Sequence, residues 1–211
     1  MSEQNWRILL IGGSSGTGKT SLAQRLSQHF GVGLLLADDV RIALQSVTTA
    51  EQLPALHYFF THDDVLWHQP PAAWQAGWTG VGEVVTRALA QVVAHHVVVR
   101  DAGALIIEGD SILPQGVLQI QRELPKPEHA PQVRALFLYE PEQAALLHNL
   151  RRKTDRGFPT APPDRQQTFV NAAWHYGLWL KAEAERAGFP TLAARPWATL
   201  DARVLGVLTQ P

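Results

Sequence analysis

The chain has 211 residues, of which 45% are hydrophobic and 18% charged, and its formal net charge is -1 at pH 7. This length and apolar content suffice for one domain with a buried core, and the near-zero charge argues against nucleic acid or a membrane as a partner. The absence of cysteine excludes disulfides, thiolate metal sites and a cysteine nucleophile. Because we find neither a signal-peptide pattern nor an apolar run of about 20 residues, the length that spans a bilayer, we expect a cytoplasmic protein.

The N-terminal part alternates predicted strands and helices. An apolar run over Trp6–Ile11 ends in two glycines and predicts a strand, and the periodic segment Lys19–Phe30 predicts a helix. The uninterrupted apolar run Val32–Ala37 predicts a second strand, of the kind that is buried on both faces of a parallel sheet. Residues 40–47 then follow a helical pattern.

The middle of the chain places an irregular segment before a regular one. Over Thr48–Thr79 the pattern is loose, with three tryptophans and a pair of prolines, and we interpret it as a substrate-side flap of short helices and loops. Regular spacing then predicts a helix over Gly80–Val99 and a strand over Ala104–Asp110 that ends in acids.

The C-terminal part continues the alternation of strands and helices. Such alternation predicts right-handed crossovers and one parallel sheet, within a single domain over residues 1–211. Asp164 is the predicted N-cap of the longest helix in this part. The predicted strands are Val133–Glu140 and 190–195, and the predicted helices are Glu142–Arg152, Asp164–Ala187 and Leu200–Leu208.

The first chemical motif is a phosphate loop. Residues Gly13–Thr20, GSSGTGKT, fit G-x-x-x-x-G-K-[ST] at every defined position and lie between a predicted strand and a predicted helix. In such a loop the backbone N–H groups cradle phosphates, Lys19 neutralises the β- and γ-phosphate oxygens, and the Thr20 hydroxyl ligates Mg²⁺. The predicted nucleotide-binding residues of this motif are Gly13, Ser14, Ser15, Gly16, Thr17, Gly18, Lys19, Thr20 and Ser21.

Four acids follow two of the predicted strands. Ligands of parallel sheets bind at the carboxyl ends of the strands, so Asp38, Asp39, Glu108 and Asp110 are expected to border one crevice with Lys19. Phosphoryl transfer to a hydroxyl needs one carboxylate near the acceptor proton and one near the metal. We expect Asp38 or Asp39 to be the base, Glu108 to serve metal or substrate, and Asp110 to bind substrate. Capping of the next helix is the alternative for the two adjacent aspartates.

Cationic residues form a third group. Arg41 lies one helical turn beyond Asp38 and is predicted to hold an anionic substrate, with a solvated position on the helix as the alternative. The proline-rich segment over residues 151–164 has the composition of a mobile lid. Its Arg152 and Arg156 are predicted to stabilise charge on the transferred phosphoryl group when the lid closes.

Two further predictions concern the rim of the crevice. A substrate contact is predicted from the flap, by Asp63, Asp64 or a nearby tryptophan, because this irregular segment would overhang the crevice. Arg195 and Pro196 follow the last predicted strand, where an adenine would lie against the flat apolar side chain of Trp197. Core packing of this tryptophan is the alternative.

These motifs, in this order, resemble those of the P-loop small-molecule kinases. The nearest resemblance is to 2-phosphoglycerate-kinase-like proteins, which carry DxxR after the second strand and IIEGxHxxPG after the third. The matching stretches are ADDVR over residues 37–41 and LIIEGDSILP over residues 105–114. The resemblance extends from Trp6 to about Leu205 and implies a three-layer α/β/α P-loop fold with a mainly parallel five-stranded sheet. It also implies ATP and Mg²⁺ as cofactors and a small hydroxyl compound as substrate.

Departures from that family leave the acceptor open. Asp110 and Ser111 stand where it tends to have a valine-histidine pair, and Gln115 replaces the glycine after the proline. Uridine and nicotinamide riboside kinases have the similar stretches QDDF, LIIEGF and PPD, and the zeta-toxin and chloramphenicol-phosphotransferase group shares the loop and an acid after the second strand. A nucleotide-gated NTPase switch, or a nucleotide-binding protein without turnover, is the alternative from another class.

Overall fold

The computed structural model describes residues 5–152 and 157–209, with the backbone alone described at positions 63, 64 and 100. The described residues form a central five-stranded sheet that is parallel throughout. Its spatial order is β2-β3-β1-β4-β5. The strands are β1 (Ile8–Gly13), β2 (Gly33–Leu36), β3 (Leu105–Glu108), β4 (Val133–Tyr139) and β5 (Thr191–Ala193).

Helices connect the strands and cover the sheet. None of those in the described ranges is both long and apolar enough to cross a bilayer, although α5 has 28 residues. The helices are α1 (Lys19–Phe30), α2 (Ala37–Ser46), α3 (Pro54–Thr61), α4 (Asp63–Leu66), α5 (Pro71–Val98), α6 (Pro114–Glu123), α7 (Gln143–Arg151), α8 (Pro163–Arg186) and α9 (Trp197–Leu208).

Strand β1 joins two core layers because successive side chains of a strand point to opposite faces of the sheet. Ile8 and Leu10 belong to the core formed with α5 and α6, and Leu9 and Ile11 to the core formed with α1 and α9. All six residues of β1 are buried. The predicted three-layer α/β/α fold with one parallel sheet is therefore confirmed, and burial on both faces explains the continuous apolar run.

The strand register brings the candidate residues to one edge of the sheet. Ile11 of β1 and Leu36 of β2 both pair with Glu108 of β3. The loop after β1, the start of α2 and the acid of β3 consequently lie at the carboxyl edge, where ligands of open parallel sheets bind.

The predicted starts of two helices and the predicted end of one strand were wrong. Helix α5 begins at Pro71 rather than Gly80, because a proline suits the first position of a helix and the preceding proline marks the break. Helix α9 begins at Trp197 rather than Leu200. Strand β2 ends at Leu36, so the aspartates at 38 and 39 lie in the first turn of α2 instead of a connecting loop.

Two further elements differ from the sequence pattern. Helix α6 was not predicted, since it has only 10 residues and carries a glycine in its first turn. That glycine, Gly116, allows close packing on α5, because a Cβ there would lie 2.6 Å from Thr86 Oγ1. The prediction of Asp164 as an N-cap was wrong: the cap position is Pro162, and Asp164 lies in the first turn of α8, where its charge favours the helix dipole.

Helix α8 crosses the loop after β1 at Gly177. A Cβ at this position would lie 2.6 Å from Ser14 Oγ and 3.3 Å from Ser14 Cβ. Ser14 is 2% exposed, so its side chain has little room to move. The crossing therefore depends on the missing side chain of this glycine.

We expect Gly177→Ala to lower the free energy of unfolding by about 1–3 kcal/mol, because the added methyl group overpacks the crossing. Gly206→Ala in α9 is the matched control, since it is also inside a helix and nothing lies within 4 Å of its Cβ position. The control is expected to gain about 0.5–1 kcal/mol from helix propensity. Urea unfolding measures both changes, and an equal gain in the free energy of unfolding for both variants would contradict the close crossing of α8 over the loop.

Candidate functional site

The loop between β1 and α1 turns at two glycines that no other residue would replace. Gly16 (φ +86°) and Gly18 (φ +78°) have left-handed backbone conformations. A Cβ at Gly16 would lie 2.7 Å from Leu146 Cδ1 of α7, and one at Gly18 would collide with the Trp197 ring of α9. The loop is therefore enclosed by α7 and α9 as well as by α8.

Hydrogen bonds hold the enclosed loop in shape. Lys19, 7% exposed, donates from Nζ to the Ser14 carbonyl oxygen at 2.9 Å, and Thr17 Oγ1 donates to the same oxygen at 2.9 Å. From α7, Asn149 Nδ2 donates to the Gly16 carbonyl at 3.1 Å. Within the described chain no side chain caps α1, so the N–H groups of its first turn stay available to an anionic ligand.

Thr20 and Glu108 form the contact between the loop and strand β3. Thr20 Oγ1 donates to Glu108 Oε1 at 2.8 Å, and Glu108 is 6% exposed. A hydroxyl and a carboxylate are the hard oxygen donors that suit Mg²⁺, which takes only one or two protein ligands and completes its shell with phosphates and water. The described residues contain no cluster of three or more acids or histidines that would enclose a metal completely. The donor set at this edge of the sheet therefore fits Mg²⁺.

A cavity of about 300 Å³ opens beside the loop. Its polar residues come from three places at the carboxyl edge: the loop, the start of α2 and the segment after β3. They are Ser15, Asp38, Arg41, Asp110 and Ser111.

The two adjacent aspartates have different surroundings. Asp38 lines the cavity and pairs with Arg41, whose Nε lies 3.3 Å from Asp38 Oδ1. Asp39 is exposed and is not among the residues that line the cavity. The cap position of α2 is Leu36, so neither aspartate is its N-cap residue. Of the two candidates for the base, Asp38 is the one that the structure brings to the cavity.

Asp110 is held between the loop and α8. Ser15 Oγ donates to Asp110 Oδ2 at 3.2 Å, and the Tyr176 hydroxyl donates to the Asp110 backbone carbonyl at 2.8 Å. Burial raises the pKa of Tyr176 well above its ordinary value of 10.0, and the nearby Asp110 charge raises that pKa further. The phenol therefore stays protonated as a donor at neutral pH. The next residue, Ser111, is 3% exposed, and no group in the described ranges forms a hydrogen bond with its Oγ.

Aromatic side chains form the opposite wall of the cavity. They come from α3, α5 and α8 and from the segment between α4 and α5, and their rings pack against one another. The sequence pattern indicated a core position for Phe169, and it offered a flap tryptophan only as one of several possible substrate contacts. The density of tryptophan between residues 67 and 78 was the available signal. The aromatic wall comprises Phe59, Trp67, Trp74, Trp78 and Phe169.

The remaining predicted residues are less clearly placed. Arg152 is an exposed residue at the end of α7, the helix that contacts Gly16, and its catalytic role stays a prediction. Ser21 is exposed in the first turn of α1. Arg156 and the side chain of Asp64 lie outside the described part of the chain.

Arg195 has ion-pair partners that the sequence did not predict. Its Nε lies 3.1 Å from Oε2 of the buried Glu140, and its Nη2 lies 3.4 Å from Glu142 Oε2. Pro196 is the cap residue of α9, and the 39% exposed Trp197 packs on Gly18. Contacts of Arg195 and Pro196 with a nucleotide stay predictions.

A second cavity, of about 490 Å³, lies between α5, α6 and α8. It is larger than the first, but its lining includes no residue of the phosphate loop. Its charged residues, Glu83, Arg87 and Glu183, carry both signs. The smaller cavity is the candidate site because it adjoins the loop and the acids at the carboxyl edge.

The fold is similar to that of solved small-molecule kinases. For the shikimate kinase from Bacteroides thetaiotaomicron the TM-score is 0.58 at 16% sequence identity, covering 96% of this chain and 98% of that one. For the shikimate kinase from Acinetobacter baumannii in complex with shikimate the values are 0.55 and 14%, with 97% and 94% covered. For a gluconokinase from Sinorhizobium meliloti 1021 they are 0.53 and 14%, with 97% and 92% covered. These similarities show that the chain has the P-loop kinase fold.

Neither a protein-family model nor a curated protein matches the sequence. These comparisons therefore do not identify the acceptor, and only the residues of the site bear on its chemistry.

We expect Arg195→Met to lower the free energy of unfolding by about 2–3 kcal/mol, because it leaves Glu140 buried without a counter-charge. Arg25→Met is the matched control: Arg25 pairs with Asp201 at 2.7 Å on the surface, with side chains 45% and 42% exposed. Its loss is expected to cost less than about 1 kcal/mol. Denaturant unfolding measures the stability of both variants, and nucleotide titration measures their binding. Unchanged stability of Arg195→Met with weakened nucleotide binding would favour the nucleotide-contact role instead.

Proposed function

We propose that this protein transfers the γ-phosphate of ATP to a hydroxyl group of a small molecule. The observation that carries the proposal is the cavity in which Ser15 of the phosphate loop, the Asp38 carboxylate and an aromatic wall face one another. Phosphoryl transfer depends on positioning an acceptor in line with the γ-phosphate beside a proton-accepting group. A cavity for a small molecule beside the loop suits an acceptor, whereas a simple nucleotide switch does not need one.

The chain's own groups account for the steps of such a transfer. The loop N–H groups and the Lys19 ammonium bind the phosphates, and Thr20 with Glu108 would hold Mg²⁺, which supplies charge neutralisation on the phosphate oxygens when bound. The acceptor oxygen bonds to the γ-phosphorus while the bond to the β-phosphate oxygen breaks and ADP leaves. Asp38 accepts the hydroxyl proton, and its pair with Arg41 fixes the carboxylate in the cavity.

The lid and flap complete the proposed site. Within one P-loop kinase-like domain over residues 1–211, segment 48–79 covers the acceptor and segment 151–164 closes over the γ-phosphate. Arg152 and Arg156 of the lid then stabilise charge on the moving phosphoryl group. Asp64 in the flap contacts the acceptor, and Arg195, Pro196 and the adjacent Trp197 border the adenine. We place this activity in the cytoplasm.

The sequence resemblance makes 2-phosphoglycerate the first acceptor to test. The solved kinases of similar fold extend the list to shikimate and gluconate, and the other resemblances add nucleosides, ribosides and antibiotics. All of these compounds present a hydroxyl to the phosphoryl donor. The proposal predicts ATP consumption that at least one such hydroxyl compound stimulates.

We expect Asp38→Asn to lower the acceptor-stimulated kcat by about 10²–10⁴-fold, because the amide cannot take the hydroxyl proton. Asp39→Asn is the matched control, since it removes the same charge from an exposed position on the same helix. The control is expected to keep kcat within about threefold, as for a surface substitution away from the site. Coupled measurement of ADP release gives both values. Only basal hydrolysis, the same with every compound and in both variants, would point to an NTPase switch.

Thr20→Ala removes the hydroxyl, and Glu108→Gln removes the negative charge of the carboxylate. We therefore expect each variant to raise the Mg²⁺ concentration for half-maximal turnover by about 10–100-fold. Thr20→Ser is the matched control and should retain the metal dependence, since it keeps the hydroxyl. Magnesium titrations of ATP turnover and of the binding of a fluorescent ADP analogue measure the shift. An unchanged magnesium requirement in both variants would place the metal elsewhere.

A further inference from the structure

We infer that the acceptor is an uncharged or cationic hydroxyl compound with a flat apolar body, rather than a polyanionic metabolite. The inference rests on the proposed function, because it takes the cavity beside the phosphate loop as the acceptor site. Three properties of that cavity support it: the packed aromatic wall, the sign of the charge and the volume.

The rings of the aromatic wall pack against one another. The Trp74 and Trp78 ring centroids are 5.5 Å apart, and the Phe169 ring meets both edge-on at 5.9 and 6.0 Å. Rings that hold one another in place lose little conformational freedom on binding, which favours a ligand that packs against their cavity side. An apolar or aromatic ring suits such a wall, whereas a carboxylate or phosphate would lose its hydration there without a hydrogen bond in return.

The charges at the polar end favour a hydrogen-bond donor or a cation. The ionisable residues among the described lining are Asp38, Arg41 and Asp110, and the arginine is paired with Asp38 at 3.3 Å. Within residues 5–152 and 157–209 no cationic side chain forms an ion pair with Asp110, which accepts a hydrogen bond from Ser15 instead. The lining thus has a formal charge of -1. An anionic acceptor would meet the Asp110 carboxylate as a like charge.

The outer part of the wall already contacts a cation. The Arg165 guanidinium carbon lies 5.0 Å from the centroid of the Trp67 ring, a cation–π distance. This contact occupies one face of Trp67 and adds a positive charge beside the wall, so the preference for a cation or a neutral donor rests on the polar end of the cavity.

Ser111 lines the same cavity as Asp110, but its Oγ is buried and has no hydrogen-bond partner among the described residues. Because this oxygen has almost no accessible surface, a ligand in the cavity does not reach it. The acceptor is thus expected to carry a polar group that reaches Asp110, in addition to the hydroxyl that is phosphorylated.

The volume limits the size of the acceptor. A cavity of about 300 Å³ is at the lower end of the range for small-molecule sites. It surrounds one or two rings with short substituents, and because it is partly open, a larger compound can extend out of it. A compact ring compound that carries a hydroxyl and a separate hydrogen-bond donor meets these conditions.

Three benzyl alcohols that differ in one para substituent test the charge preference. They are 4-(aminomethyl)benzyl alcohol, 1,4-benzenedimethanol and 4-(hydroxymethyl)benzoic acid, which are cationic, neutral and anionic at pH 7. Binding to the full chain with ADP and Mg²⁺ is measured by ligand-observed NMR titration. We expect the cation to bind about tenfold or more tightly than the anion, with the neutral compound between them. 2-Phosphoglycerate is expected to bind more weakly than the neutral compound.

Two test variants and one charge control relate the binding order to Asp110 and Phe169. Asp110→Asn should reduce the preference for the cation over the anion to about twofold or less, because it removes the unpaired charge. Glu128→Gln, at a side chain 71% exposed, is the matched charge control and should retain the preference. Phe169→Leu keeps an apolar side chain but removes a ring, so it should weaken 1,4-benzenedimethanol more than 1,4-cyclohexanedimethanol.

The binding data are independent of turnover, so the two proposals fail separately. Tighter binding of the anion, equal binding of the three benzyl alcohols, absence of binding, or an Asp110→Asn variant that keeps the full preference would overturn the inference. ATP consumption with the same compounds tests the proposed function. The expected binding order without any phosphorylation would support the acceptor class and count against the kinase activity.

Discussion

Three helices can pack closely around the loop after β1 because one residue of each contact is a glycine. Gly16 lies under α7, Gly18 lies under Trp197 of α9, and Gly177 lets α8 cross over Ser14. This enclosure by three helices holds Lys19 in the loop, curled onto the Ser14 carbonyl. Support of this kind fixes the directions of the loop N–H groups, which the proposed phosphoryl transfer requires.

From this loop, polar contacts extend across the carboxyl edge of the sheet. The Thr20–Glu108 hydrogen bond joins α1 to β3, and the Ser15–Asp110 hydrogen bond joins the loop to the segment after β3. The parallel register places these partners within reach, since Ile11 pairs directly with Glu108. The nucleotide side of the site and the cavity beside it are thus one connected arrangement, and a substitution at Glu108 or Asp110 would affect both.

The cavity joins this polar edge to a wall built by a different part of the chain. Residues of α3, α5 and α8 supply Phe59, Trp78 and Phe169, which lie far apart in the sequence but pack ring against ring. Aromatic packing of this kind has no short-range sequence signature, because apolar residues at helical spacing fit a core equally well. The early start of α5 was not predicted for a different reason: this helix begins at a proline, which sequence patterns indicate as a break.

Local chemistry in the sequence determined the phosphate loop, the alternation of strands and helices and the acids at the ends of the second and third strands. These features depend on neighbouring residues, so Lys19, Thr20 and Glu108 could be predicted as site residues without a structure. The tertiary structure alone decided which aspartate reaches the cavity, since Asp38 and the exposed Asp39 differ only in the direction that α2 gives them. It also decided that Ser111 is buried with no partner among the described residues and that Arg195 pairs with Glu140, because both depend on segments that meet only after folding.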